Sequence, residues 1–112
     1  MDIDVATQKK IQELQMLEHN LQNTSVEKQT LQVQANELTN ALHELTHAGD
    51  EVYRMTGGIM LRADKAKLKE ELSERKKVLD LKISSVEKHE KQIETKARAL
   101  RTEITSTMNL KK

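Results

Sequence analysis

The chain has 112 residues, a single aromatic side chain in Tyr53, no proline and no cysteine, and 33% of its residues are charged. So few aromatic side chains argue against a conventional globular core, the missing cysteines exclude a disulfide scaffold or thiolate metal site, and nothing interrupts long helices. A net charge of +1 gives no overall attraction to nucleic acid or to an anionic membrane.

Residues 1–48 predict one coiled-coil helix. Alternating steps of three and four residues pick out Leu14, Leu17, Leu21, Thr24, Lys28, Leu31, Ala35, Leu38, Leu42 and Leu45, and all but Thr24 and Lys28 are apolar. Such a stripe packs on a partner helix, and its polar members weaken packing while fixing register. Ile3, Val5 and Ile11 fall off the strict phase, so the helix is expected to loosen towards its free end. Gly49 supplies a stop, because glycine tolerates the left-handed conformation that ends many helices. The start, Met1-Asp2-Ile3-Asp4, lacks the basic-then-apolar form of a secretory signal, and the longest strongly apolar run, Ile59-Met60-Leu61, is far too short to span a bilayer. A soluble cytoplasmic protein is expected.

Residues 49–63 predict a β-hairpin. Val52-Tyr53-Arg54-Met55-Thr56 and Ile59-Met60-Leu61-Arg62-Ala63 bracket Gly57-Gly58, two glycines able to adopt the positive φ of a tight turn. A two-residue turn pairs Thr56 with Ile59, Met55 with Met60 and Tyr53 with Arg62. One face then carries Val52, Thr56, Ile59, Leu61 and Ala63, the other Tyr53, Met55 and Met60. A lone two-stranded ribbon is marginal in water, and its free edges are templates for further strands. The hairpin is therefore expected to complete itself against hairpins of other subunits, through Val52, Tyr53, Met55, Ile59, Met60 and Leu61.

Residues 64–112 predict a second helix, with Asp64 as its N-cap. Its stripe runs through Leu68, Leu72, Arg75 and Leu79, then Ile83, Val86, Glu90, Ile93, Ala97, Leu100 and Ile104. Two successive four-residue steps, at 75, 79 and 83, predict a stutter that locally unwinds the supercoil. Residues 1–48 hold three Lys/Arg against seven Asp/Glu, and residues 64–112 fourteen against nine, so side-by-side helices attract.

His43-Glu44-Leu45-Thr46-His47 fits the H-E-x-x-H pattern of zinc proteases. Catalytic zinc also needs a third protein ligand and a cleft, and Leu42 and Leu45 belong to the seam, so the histidines are read as flanking it in solvent. His19 and His89 read as surface residues, and the lysines at 65, 67 and 69 as a solvated face interleaved with glutamates. No phosphate loop, nucleophile and base set or carboxylate pair is visible. No catalytic, cofactor-binding or metal residue is assigned, and an enzyme is not expected.

Two long helices around Val52-Tyr53-Arg54-Met55-Thr56-Gly57-Gly58-Ile59-Met60-Leu61, with Ser25-Val26-Glu27-Lys28-Gln29-Thr30-Leu31-Gln32 on the first, resemble the β-class subunits of prefoldin, a hexameric chaperone. The single hairpin matches the β class; the α class has two. The resemblance covers almost the whole chain as one domain, and departs from the family at Thr56, where relatives often carry an aliphatic residue. It implies a mainly α fold, in which a long antiparallel coiled-coil hairpin carries a β-hairpin that oligomerises into a β-barrel platform. It also implies a heterohexamer of two α-class and four β-class subunits that holds non-native clients at its coiled-coil tips, without nucleotide, and hands them to a group II chaperonin. No nucleic acid or membrane partner follows from it.

Antiparallel pairing about Gly57-Gly58 brings Ile11 to Ile104 and Leu14 to Leu100. The tip then gathers Ile3, Val5, Ile11, Leu14, Leu100, Ile104, Met108 and Leu110, and splaying there exposes apolar surface to clients. Ordinary seam packing is the bland reading of those same residues. A structural coiled-coil adaptor that scaffolds partners along a fixed helix face is the competing function.

Overall fold

The computed structural model describes the backbone of residues 4–110 and the side chains of residues 4–109. Its elements are α1 (Val5–His47), β1 (Val52–Thr56), β2 (Ile59–Ala63) and α2 (Lys65–Leu110). Two long helices thus flank one antiparallel two-stranded ribbon, as the heptads and the paired glycines led us to expect.

Both helices start on an aspartate. The Asp64 carboxylate accepts from the Lys67 N–H at 3.1 Å, and its carbonyl opens the helix by accepting from Leu68 at 2.9 Å. Asp4 does the same for α1, its carboxylate accepting from the Thr7 N–H at 2.7 Å. The expected loosening of α1 is absent among the described residues. The strict phase continues through half-buried Lys10 to Thr7, which is 4% exposed, because a small hydroxyl and a long methylene stem fill the seam while Val5 stays exposed.

The end of α1 differs from expectation too. Positive φ among the described residues is confined to Gly57 and Gly58, so Gly49 forms no left-handed cap. Instead the Lys65 ammonium, from the start of α2, donates to the Ala48 carbonyl at 2.6 Å. A cation at a helix C-terminus satisfies the open carbonyl and meets the negative end of the helix dipole.

The chain forms two compact units, one spanning Thr30–Ser84 and the other joining the residues up to Gln29 with those from Ser85 onward. In the first, Ala35, Leu45, Val52 and Ile83 are buried, and Leu31, Leu38, Leu42, Leu68, Leu72 and Leu79 are half-buried around them. In the second, Ile93, Ala97 and Ile104 are buried with Thr7 and Thr24. Thr24 needs no partner across the seam, since its hydroxyl donates to the Asn20 carbonyl of its own helix at 2.8 Å.

One seam assignment is corrected. Arg75 is exposed and Lys76 half-buried, so the paired four-residue steps fall at Leu68, Leu72 and Lys76, earlier than expected. The cause is Glu71, which lies one turn before Arg75 and holds its guanidinium at 2.9 Å on the outer face. Among the described residues, no helix is long and apolar enough to cross a membrane.

Candidate functional site

In the Thr30–Ser84 unit the site is the hairpin. Gly57 and Gly58 take φ of 54° and 81°, the left-handed pair of a two-residue turn. The register follows from it: Val52 pairs with Ala63, Tyr53 with Arg62, Arg54 with Leu61, Met55 with Met60 and Thr56 with Ile59. Because side chains alternate, the inner end of one face turns onto the helices. Val52 is buried at 7% beside a hollow that Leu45, Ala48 and Leu68 also line, and so anchors the ribbon. The other proposed assembly residues stay uncovered, with exposures of 51% for Tyr53, 68% for Met55, 63% for Ile59 and Met60, and 49% for Leu61. Exposed apolar side chains on both faces, beside unpaired strand edges, form a surface suited to strand addition and sheet packing.

The hairpin is also tied by charge. Arg54 of β1 forks onto the Glu71 carboxylate of α2 with two bonds of 3.1 Å, and Arg75 shares the same carboxylate. Planar two-point pairing fixes direction as well as distance. The Arg54 hydrogen bonds hold the Glu71 carboxyl below its usual 4.5, against the opposing effect of desolvation, and the charges of Arg54 and Arg75 add to them. Sequence reading missed this clamp, since nothing in the spacing of residues 54 and 71 announces it.

In the other unit the candidate site is the open end of the helix pair. Lys10 meets Glu103 at 3.4 Å, Glu18 meets Arg101 at 3.4 Å and Lys28 meets Glu90 at 2.9 Å. These pairs step along the two helices in opposite senses, as the expected antiparallel pairing requires. Lys28 and Glu90 both occupy seam positions. Hydrogen bonding to Glu90, then its charge, raises the Lys28 pKa above 10.5, with burial opposing and Glu87 and Glu94 contributing further. A polar residue facing a polar residue allows this register and penalises shifted ones that set either charge against leucine.

Of the proposed tip residues, Val5 is 67% exposed, Ile11, Leu14, Leu100 and Met108 are half-buried, and Ile104 is 9% exposed. Ile3 and the side chain of Leu110 lie outside the described residues. The same unit exposes two apolar side chains that the heptad reading passed over, Met16 at 65% and Val26 at 58%. Their signal was present as apolar residues off the seam phase.

His43 and His47 are both exposed on the last turns of α1, with ring centroids 4.6 Å apart. Among the described residues, no group of three or more His, Cys, Asp or Glu side chains is arranged to hold a metal ion.

Comparison with known proteins converges on one family. The family model described as "Prefoldin subunit" matches residues 8–109. A prefoldin subunit beta of Methanothrix thermoacetophila is 32% identical over 103 residues, covering 90% of this chain and 86% of its own length. The corresponding subunit of Thermoplasma acidophilum is 30% identical over 111 residues, covering 96% and 90%. The crystal structure of the prefoldin beta subunit from Thermococcus strain KS-1 superposes with a TM-score of 0.88 at 27% identity, over 95% of each chain. With its single glycine-turned hairpin between two heptad helices, the chain belongs to the prefoldin subunit family and is similar to its β-class members.

Proposed function

We propose that this subunit captures non-native proteins at the open ends of its helix pair, without nucleotide, and passes them to a group II chaperonin. Family membership gives it a chaperone role within an assembly of prefoldin subunits. The finer reading places the whole chain, residues 1–112, as one functional module in a hexamer of two α-class and four β-class subunits. There Tyr53, Met55, Ile59, Met60 and Leu61 join a shared β-barrel, with Val52 seating the ribbon behind them.

The exposed apolar ribbon is the observation that carries this reading, because it leaves surface and strand edges that association would cover. At the helix ends, full burial of one Leu or Ile is worth about 1.5–3 kcal/mol, so partial burial of Val5, Ile11, Leu14, Leu100 and Met108, joined by the buried Ile104 when the tip splays, gives weak, short-lived contacts. Several arms acting on one unfolded chain hold it by effective concentration and still release it, so the cycle needs no nucleotide.

The test has two readouts. Co-expression with an α-class partner, followed by native mass measurement, should give a hexamer that suppresses client aggregation. Removing residues 1–8 and 105–112 should keep the hexamer and lose the suppression. Full activity after truncation overturns the tip assignment, and a stable dimer that ignores the α-class partner supports a scaffolding adaptor instead.

A further inference from the structure

We propose that His43 and His47 form a two-imidazole chelate for a divalent late transition-metal ion, of the copper(II) or nickel(II) class, on the last two turns of α1. The spacing i and i+4 sets both side chains on one face, a turn apart, and the rings already meet with centroids 4.6 Å apart at an interplanar angle of 69°. Both residues are exposed, while Leu45 between them is buried at 6% and Leu42 is half-buried, so seam packing holds the backbone and leaves the rings to solvent. Two ligands a turn apart on one rigid helix bind together without loop-closure cost, because the first contact places the second at high effective concentration.

The donor set selects the metal. Imidazole suits copper, nickel and zinc; the general affinity order puts copper first, and a tetragonal ion accepts two adjacent nitrogens while water fills its other positions. Structural zinc takes four protein ligands and catalytic zinc three, and the described residues offer no such cluster. Glu44 of the H-E-x-x-H pattern is exposed and lines the hollow beside Val52 and Leu68. A bound ion bridges two consecutive turns where α1 ends without a left-handed glycine. It therefore reinforces the Lys65 to Ala48 cap at the entry to the hairpin.

The full chain, stripped of metal, is titrated with copper(II) alone and nickel(II) alone, and followed by calorimetry, electron paramagnetic resonance and thermal melting. One copper site with hyperfine splitting from two imidazole nitrogens is expected, with a higher melting temperature when loaded. His43→Ala or His47→Ala should weaken binding by an order of magnitude or more and remove the melting shift, whereas the His19→Ala/His89→Ala chain should bind as the parent does. His43→Gln and His47→Gln serve as second variants should either alanine lower helicity before metal is added. Equal affinity in a chain lacking both His43 and His47, loss of binding in the His19/His89 control, or no binding by the parent each overturns the proposal.

Discussion

At Asp64 the chain turns from β2 into α2, and one carboxylate there replaces a hydrogen bond that the helix cannot make for itself. Asp64→Ala should cost about 0.5–2 kcal/mol, read as a lower midpoint in urea denaturation, and Asp64→Asn should recover most of it. Asp64 was legible as a cap because its effect is local. Glu71 was not, because its partner Arg54 arrives through the turn. The sign of its pH dependence follows from its lowered pKa. A carboxylate held below its unfolded value stabilises the fold above that value and ceases to do so as the pH falls past 4.5 and through the folded pKa. Thermal melts between pH 7 and pH 3 should show a steeper acid loss in the parent than in Glu71→Gln, which should melt lower at neutral pH; parallel curves would remove Glu71 from the clamp.

Each element inherits its limits from such residues. The hairpin register was readable because two adjacent glycines leave a single turn length, and a period of two then assigns every side chain to a face. A Cβ at Gly57 or Gly58 would meet nothing within 4 Å, so alanine there is penalised by backbone strain alone. Gly57→Ala or Gly58→Ala should destabilise the turn by about 1–2 kcal/mol, seen as faster amide exchange in β1 and β2 while α2 exchange stays unchanged. The heptad stripes were equally readable, with one displaced step. Arg75 and Lys76 are adjacent, long and basic, and periodicity cannot tell which enters the seam. Competition for Arg75 by Glu71 decided it.

Over the whole molecule, charge shows where pattern and contact part. Residues 1–48 are net acidic and residues 64–112 net basic, yet Lys10 with Glu103 and Lys28 with Glu90 place the lysine on α1 and the glutamate on α2. The net asymmetry favours side-by-side pairing in general, but beyond a screening length of about 10 Å at 0.1 M salt it says nothing of individual neighbours. Lys10→Glu should lower the melting temperature slightly, and adding Glu103→Lys in the same chain should restore it. Failure of the double swap would mean that the pair is incidental.

From its order of residues alone the chain determined two heptad helices, their antiparallel sense, the glycine turn and its register, and an Asp64 start, all set by near neighbours or by a regular period. Tertiary structure alone decided that Val52 turns inward while Met55, Ile59 and Met60 stay bare, that Lys65 and not Gly49 closes α1, and that Arg54 is clamped by Glu71. Those outcomes depend on which side of a ribbon lies against a helix, a choice made by packing between segments that the linear pattern leaves open.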